Sequence, residues 1–200
     1  MFRSTTRPVV YPQAEHVRLA AAIAAAWRPD AIPLSFDSFV RGVALHDRGY
    51  GQLDNDSLGE IEEARWLEIM RRGFEPQDDD PTVDLVVALH IRRLVGNATP
   101  EFAAALPARL KAAGVSDAAA AAADAVTDLC DRISFSFCFE EEGAGTIGSF
   151  AYTVAIDGSA TIVPWPLAVP ELTETVVGYE ADGYPQRLDP IERIFRLRPA

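Results

Sequence analysis

The stretch Leu129-Cys130-Asp131-Arg132-Ile133-Ser134-Phe135 stands where the chain changes character. Before about residue 134 the sequence is rich in Ala, Leu and Arg with helical periodicity. After it, Gly, Thr, Val, Tyr and Phe take over in short alternating runs. A 3.6-residue period upstream and a period near two downstream predict a mainly α protein carrying a small C-terminal antiparallel β-sheet, α+β overall. The reading is one domain over 1–200, with a helical body over 11–138 and an appended β region over 139–200.

Working outward, Ser116 is placed to open a long helix reaching at least Asp131, and the six alanines Ala118 to Ala123 favour it strongly. Asp78-Asp79-Asp80-Pro81 is a helix start, with acids and Pro at the favourable end of the dipole. Thr99-Pro100-Glu101 opens another helix, and Leu58 to Arg72 reads as a further one. Ser35 or Asp37 caps a helix running to about Asp47 and ended by Gly49. Downstream, Gly148 to Ile156, Ala160 to Val163, Glu171 to Tyr179 and Arg193 to Arg198 read as strands, with Asp157-Gly158 as a hairpin turn. The acidic trio Glu140 to Glu142 reads as solvated. Gly143 to Gly148 has GxGxxG spacing but follows an acidic run and precedes a strand, so a dinucleotide loop is excluded on context.

The chain has 200 residues, 48% apolar and 24% charged, which suits a globular domain with its own core. Arg supplies 17 of the 18 basic residues, a bias of GC-rich bacterial coding sequence. Asp plus Glu is 30, and the net charge of −12 argues against nucleic acid or anionic lipid as partner, because both bind through Lys and Arg. A small-molecule substrate is expected instead. Only two cysteines, no signal-peptide pattern and no long apolar run predict a reduced, cytoplasmic chain.

Histidine is scarce: His16, His46 and His90. His16, Ala20, Ile23 and Trp27 fall at offsets 0, 4, 7 and 11, and Val83, Val87, His90 and Leu94 repeat that spacing. His46-Asp47 extends the apolar lines through Phe39, Val43 and through Val40, Ala44. All three imidazoles are thus expected to face inward from separate helices. A buried imidazole beside a buried carboxylate is costly unless hydrogen bonds or a cation satisfy it, and the pair suits Mn, Fe, Co, Ni or Zn. Asp117, Asp124, Asp128 and Asp131 share one helical face, and spacing alone does not choose among the last three.

The order His16, His46-Asp47, then a late helical Asp131 resembles the HD superfamily of metal-dependent phosphohydrolases, a helical bundle with an H…HD…D signature. Tyr11-Pro12-Gln13-Ala14-Glu15-His16, Ala44-Leu45-His46-Asp47-Arg48-Gly49-Tyr50 and Leu129 to Ser134 further resemble an uncharacterised bacterial family with an HDxGW-type motif; Tyr50 stands where that family has Trp. The resemblance implies an HD-type helical bundle, His16, His46, Asp47 and Asp131 as ligands of one divalent transition metal, and His90 as a neighbouring or second-metal residue. It implies Asp47 and Arg48 as catalytic residues and hydrolysis of a small phosphorylated metabolite or nucleotide, with Arg48, Arg92, Arg93 and Arg132 as candidate phosphate partners. Two alternatives stand beside it: an HD-type di-iron oxygenase, and a non-catalytic scaffold binding a ligand or partner. Asp54 and Asp56 shape the site mouth or form a plain loop, and the sheet edge offers a homodimer contact.

Overall fold

The computed structural model describes residues 1–51, 57–96 and 98–200. Two short stretches open the chain, β1 (Phe2–Arg3) and β2 (Val9–Tyr11). Among the described residues six α-helices follow: α1 (Gln13–Ala25), α2 (Phe36–Ala44), α3 (Glu63–Phe74), α4 (Pro81–Val95), α5 (Pro100–Ala113) and α6 (Asp117–Phe139). Then come β3 (Gly143–Ile147), β4 (Phe150–Val154), β5 (Ser159–Val163), β6 (Leu172–Glu180) and β7 (Pro190–Pro199). All seven strands form one curled sheet in the order β1-β2-β6-β7-β5-β4-β3.

This corrects the expected fold class. Helix is 47% and strand 21% of the chain, and the sheet is a large one drawing on both chain ends, not a small C-terminal appendix to an HD-type bundle. The reason is a long-range pairing. β2 runs antiparallel to β6, with Val9 opposite Glu180 and Val10 opposite Tyr179. β5 lies parallel to β7, so the C-terminal strand is central and joins the N-terminal half of the sheet to the β3–β4–β5 meander.

The helix starts follow their caps. The Asp80 carboxylate accepts from Thr82 N at 2.8 Å ahead of Pro81, and Ser116 Oγ accepts from Ala119 N at 3.3 Å. α6 runs two turns beyond Asp131 and ends at Glu140, whose backbone is left-handed (φ 57°). Glu140 is not solvated as expected: it is 2% exposed and accepts from Ser4 Oγ, Thr6 Oγ1 and Tyr11 Oη, each at 2.8 Å, and from Arg7. One carboxylate thereby fastens the N-terminal hairpin to the end of α6.

The main core lies between the sheet and the pair α1 and α6, with Leu19, Ile23, Leu129 and Ile133 against Ile162, Val176 and Phe195. A second cluster joins α3, α4 and α5 through Met70, Phe74, Val87, Ile91 and Phe102. Phe150, Tyr152 and Val154 share a core-facing side of β4, whereas Ile156 lies past the strand end and is 46% exposed. No helix among the described residues is long and apolar enough to cross a membrane.

Candidate metal centre

α1 and α6 cross where α4 and the chain leaving α2 also arrive. His16 sits on the second turn of α1, His90 on α4 and Asp131 on α6, all buried. The His46-Asp47 pair is placed differently from its expectation. α2 ends at Ala44, and His46 and Asp47 occupy the tight turns that follow, with His46 N donating to Val43 O and Arg48 N to Leu45 O. Gly49 lets that segment press onto α3, since a Cβ there would lie 2.3 Å from Ile69 O. Arg48 Nε donates to Gly73 O at 2.8 Å and Arg72 Nε to Gly49 O at 2.9 Å, pinning the turn from both sides.

Four donor atoms converge. His16 Nε2 lies 3.1 Å from His46 Nε2 and 3.2 Å from Asp131 Oδ1, and His46 Nε2 lies 3.7 Å from the same oxygen. Asp47 Oδ2 is 3.7 and 3.8 Å from the two imidazole nitrogens. Ligand bonds of about 2.1 Å place neighbouring donors about 3.0 Å apart at right angles and about 3.4 Å apart at tetrahedral angles. The short pairs fit those angles, and the longer ones fit the wider angles of an open site.

The second contacts of each ring decide which nitrogen is bare. His46 Nδ1 lies 2.6 Å from Val43 O, a pure acceptor, so Nδ1 carries the proton. Ser134 Oγ gives its proton to Asp131 O at 3.0 Å and accepts from His16 Nδ1 at 2.9 Å. Both Nε2 lone pairs therefore point into the same space, where only a cation between them, proton or metal, relieves their repulsion. His90 is held the other way round. Arg93 donates to His90 Nδ1 at 3.0 Å, leaving His90 Nε2–H to donate to Asp47 Oδ1 at 3.2 Å.

Charge follows from this arrangement. Burial opposes ionisation of Asp131, but the imidazoles of His16 and His46 against it outweigh that cost and hold the carboxyl well below its usual range. Asp47 is lowered too, burial being overcome by the charge of His46 and the hydrogen bond from His90. Burial would lower His46, yet Asp47 and Asp131 push it up to about 9. His90 is lowered, by burial first and by His46 second. Two carboxylates facing the imidazole nitrogens are a donor set that favours a divalent cation.

His16, His46, Asp47, Asp131 and His90 are thus brought together. Two overlapping donor groups, His16/His46/Asp47 and His46/His90/Asp131, share His46. Of the acidic stripe, Asp131 enters the centre, while Asp124 and Asp128 bind Arg93, the latter at 3.1 Å. Arg48 is not brought in; it pairs with Asp84 at 2.7 Å, both side chains 7% exposed. Arg92 closes its own helix end on Gly96 O at 2.7 Å. Asp54 and Asp56 lie outside the described residues. Sequence reasoning missed Ser134 and the link from Arg93 to His90; each sits one helical turn from its partner residue, at i+3 from Asp131 and from His90, a spacing that could have flagged both.

No curated protein and no solved structure matches the chain. The expected membership of the HD superfamily is overturned by the seven-stranded sheet with six helices among the described residues and by the family that does match; the HD-domain and helical-bundle labels fall with it, and the hydrolase expectation loses the support of that resemblance. Residues 2–180 match the family described as protein of unknown function (DUF3891), and the chain belongs to that family.

Proposed function

We propose that His16, His46, Asp47 and Asp131 hold one divalent transition metal, of the Mn, Fe, Co, Ni or Zn class, and that the site cleaves a phosphoester in a small molecule with water. The observation that carries this is the pair of Nε2 atoms 3.1 Å apart in a buried setting, each ring's Nδ1 being committed to another partner, with two ionised carboxylates facing them. A metal bound there supplies Lewis acidity and a water acidic enough to attack near neutral pH. The protein's own groups do the rest. Val43 O and Ser134 Oγ keep both imidazoles in the ligating tautomer. His90 steadies Asp47 through Oδ1 and keeps Oδ2 turned to the imidazoles, where it would hold the metal as the fourth donor. Arg132 lines the cavity over the site and is the cation placed to receive a phosphoryl oxygen.

The shared His46 supports one metal; a di-iron oxygenase would need further donors than the described residues place here. The net charge of −12 supports a small substrate over nucleic acid. Two buried free thiols, Cys130 and Cys138, support a reducing, cytoplasmic setting. The test is metal content by mass spectrometry after loading, for the wild type and for His46→Ala and Asp131→Asn, with release of inorganic phosphate from p-nitrophenyl phosphate alongside. One metal per chain, lost in both variants together with activity, is expected. A wild type that retains no transition metal under any loading condition refutes the reading.

A further inference from the structure

The cavity over the centre has a volume of about 170 Å³ and walls of a particular kind. Phe2, Tyr50, Trp66 and Phe135 supply aromatic faces, and Leu94 adds an aliphatic one. Two pairs of these rings are fixed independently. Phe2 lies fully buried with its ring 4.7 Å from that of His16 and meets Phe135 edge-on at 5.5 Å. Trp66 Nε1 donates to Tyr50 Oη at 3.1 Å, which fixes both rings and leaves the Tyr50 O–H free to donate elsewhere. Leu94 and Phe135 are 40% and 38% exposed, among the few large apolar side chains that stay so open. Apolar surface left open at the rim of a polar site is surface a ligand can cover.

The charges narrow the anionic part. Asp47 and Asp131 balance a divalent metal, and Arg132 is the one cation among the described residues lining the cavity. Arg93, the next nearest, is held by Asp124, Asp128 and Asp131, whereas Arg132, 57% exposed, meets Asp128 alone, at 3.4 Å. One cation suits one phosphoryl group and does not suit a polyphosphate chain. The volume agrees, lying below the roughly 300 Å³ at which sites for drug-sized ligands begin.

Resting on the reading above, we propose that the substrate is a small phosphomonoester with a flat, apolar body, of the aryl phosphate class, its ring against the aromatic lining of Phe2, Phe135, Tyr50 and Trp66 and its single phosphoryl group between the metal ligands and Arg132. Water forms the new O–P bond and the ester P–O bond breaks. The bonding pair goes to the leaving oxygen, which takes one proton of the water, and the other stays on the phosphate. A phenol and inorganic phosphate result, with no redox partner. Tyr50 O–H donates a hydrogen bond to the oxygen on which negative charge grows.

The test is binding of non-hydrolysable phosphonates by calorimetry, using full-length protein whose metal content is measured first. Phenylphosphonate is expected to bind at least tenfold tighter than methylphosphonate or pyrophosphate. Phe135→Ala, a half-open position, is expected to shrink that preference to threefold or less with metal affinity unchanged. Arg132→Gln is expected to weaken both phosphonates alike. Equal affinity for phenyl- and methylphosphonate, or tighter pyrophosphate, in metal-loaded protein overturns the substrate class and leaves the metal reading standing. Absence of metal after loading overturns both.

Discussion

Ser134→Ala removes a hydroxyl that does one task in the metal-free protein and a stricter one in the metal-bound protein. Ser134 is fully buried, and its Oγ is the acceptor, at 2.9 Å, for the proton on His16 Nδ1. Leaving a buried donor without its acceptor costs about 1–3 kcal/mol. Without metal the ring has an escape: the proton moves to Nε2, where Asp131 Oδ1 at 3.2 Å accepts it. The metal-free variant should therefore lose about 1 kcal/mol or less, a shift of roughly 2–4 °C in Tm for a chain of this size. Bound metal closes that escape, because Nε2 must stay bare, so nearly the whole penalty falls on the bound state. Metal affinity should drop about ten- to a hundredfold, the range found when a metal-ligating histidine loses its orienting partner. Ser134→Thr keeps the hydroxyl but forces a methyl into a filled space, at about 1–3 kcal/mol. It should show the opposite profile, with lower Tm and affinity close to wild type. Calorimetric titration with Zn or Mn, paired with thermal melts of chelated protein, separates the two. Unchanged affinity in the alanine variant, or an equal loss in both variants, would refute the tautomer argument.

Two further perturbations probe the scaffold. Glu140 is held at about 2, below its ordinary 4.5: burial alone would raise it, but hydrogen bonds from Arg7, Ser4, Thr6 and Tyr11 prevail. A depressed folded value gives stability that is present above pH 4.5 and lost as pH falls towards 2, on the order of 3 kcal/mol in all. Chemical denaturation across that window should show the loss in wild type and a flatter profile in Glu140→Gln; parallel profiles would remove the carboxylate from the ledger. Arg48→Ala breaks the buried pair with Asp84 and should cost about 3–5 kcal/mol. Because Arg48 points away from the centre and Arg72 still holds the same turn at Gly49 O, metal affinity measured on the folded variant should stay within twofold of wild type. A tenfold loss in folded protein would return Arg48 to the site.

The sequence alone determined what short-range physics controls. Caps at Asp80-Pro81 and Ser116 marked helix starts, because capping is settled within a few residues. Inward-facing histidines at His16 and His90 followed from one-turn periodicity, and the hairpin at Asp157-Gly158 from turn chemistry. The strands β1 and β2, of two and three residues, carry no periodicity to read, and glycine-rich β3 reads as loop. Only pairing with β6, some 170 residues downstream, makes Val9–Tyr11 part of a sheet. The bundle expectation failed there, since a local pattern cannot report a partner at that distance. The same limit governs the centre. Asp124, Asp128 and Asp131 are equivalent along one helical face, and the crossing of α1 over α6 decides that Asp131 meets His16 while the other two meet Arg93. His46 and Asp47 reach the centre from turns beyond α2, and Arg48, one residue on, is turned to Asp84. Residue types and spacings are written along the chain; which donors share a space a few ångströms wide is set by packing between elements far apart in sequence.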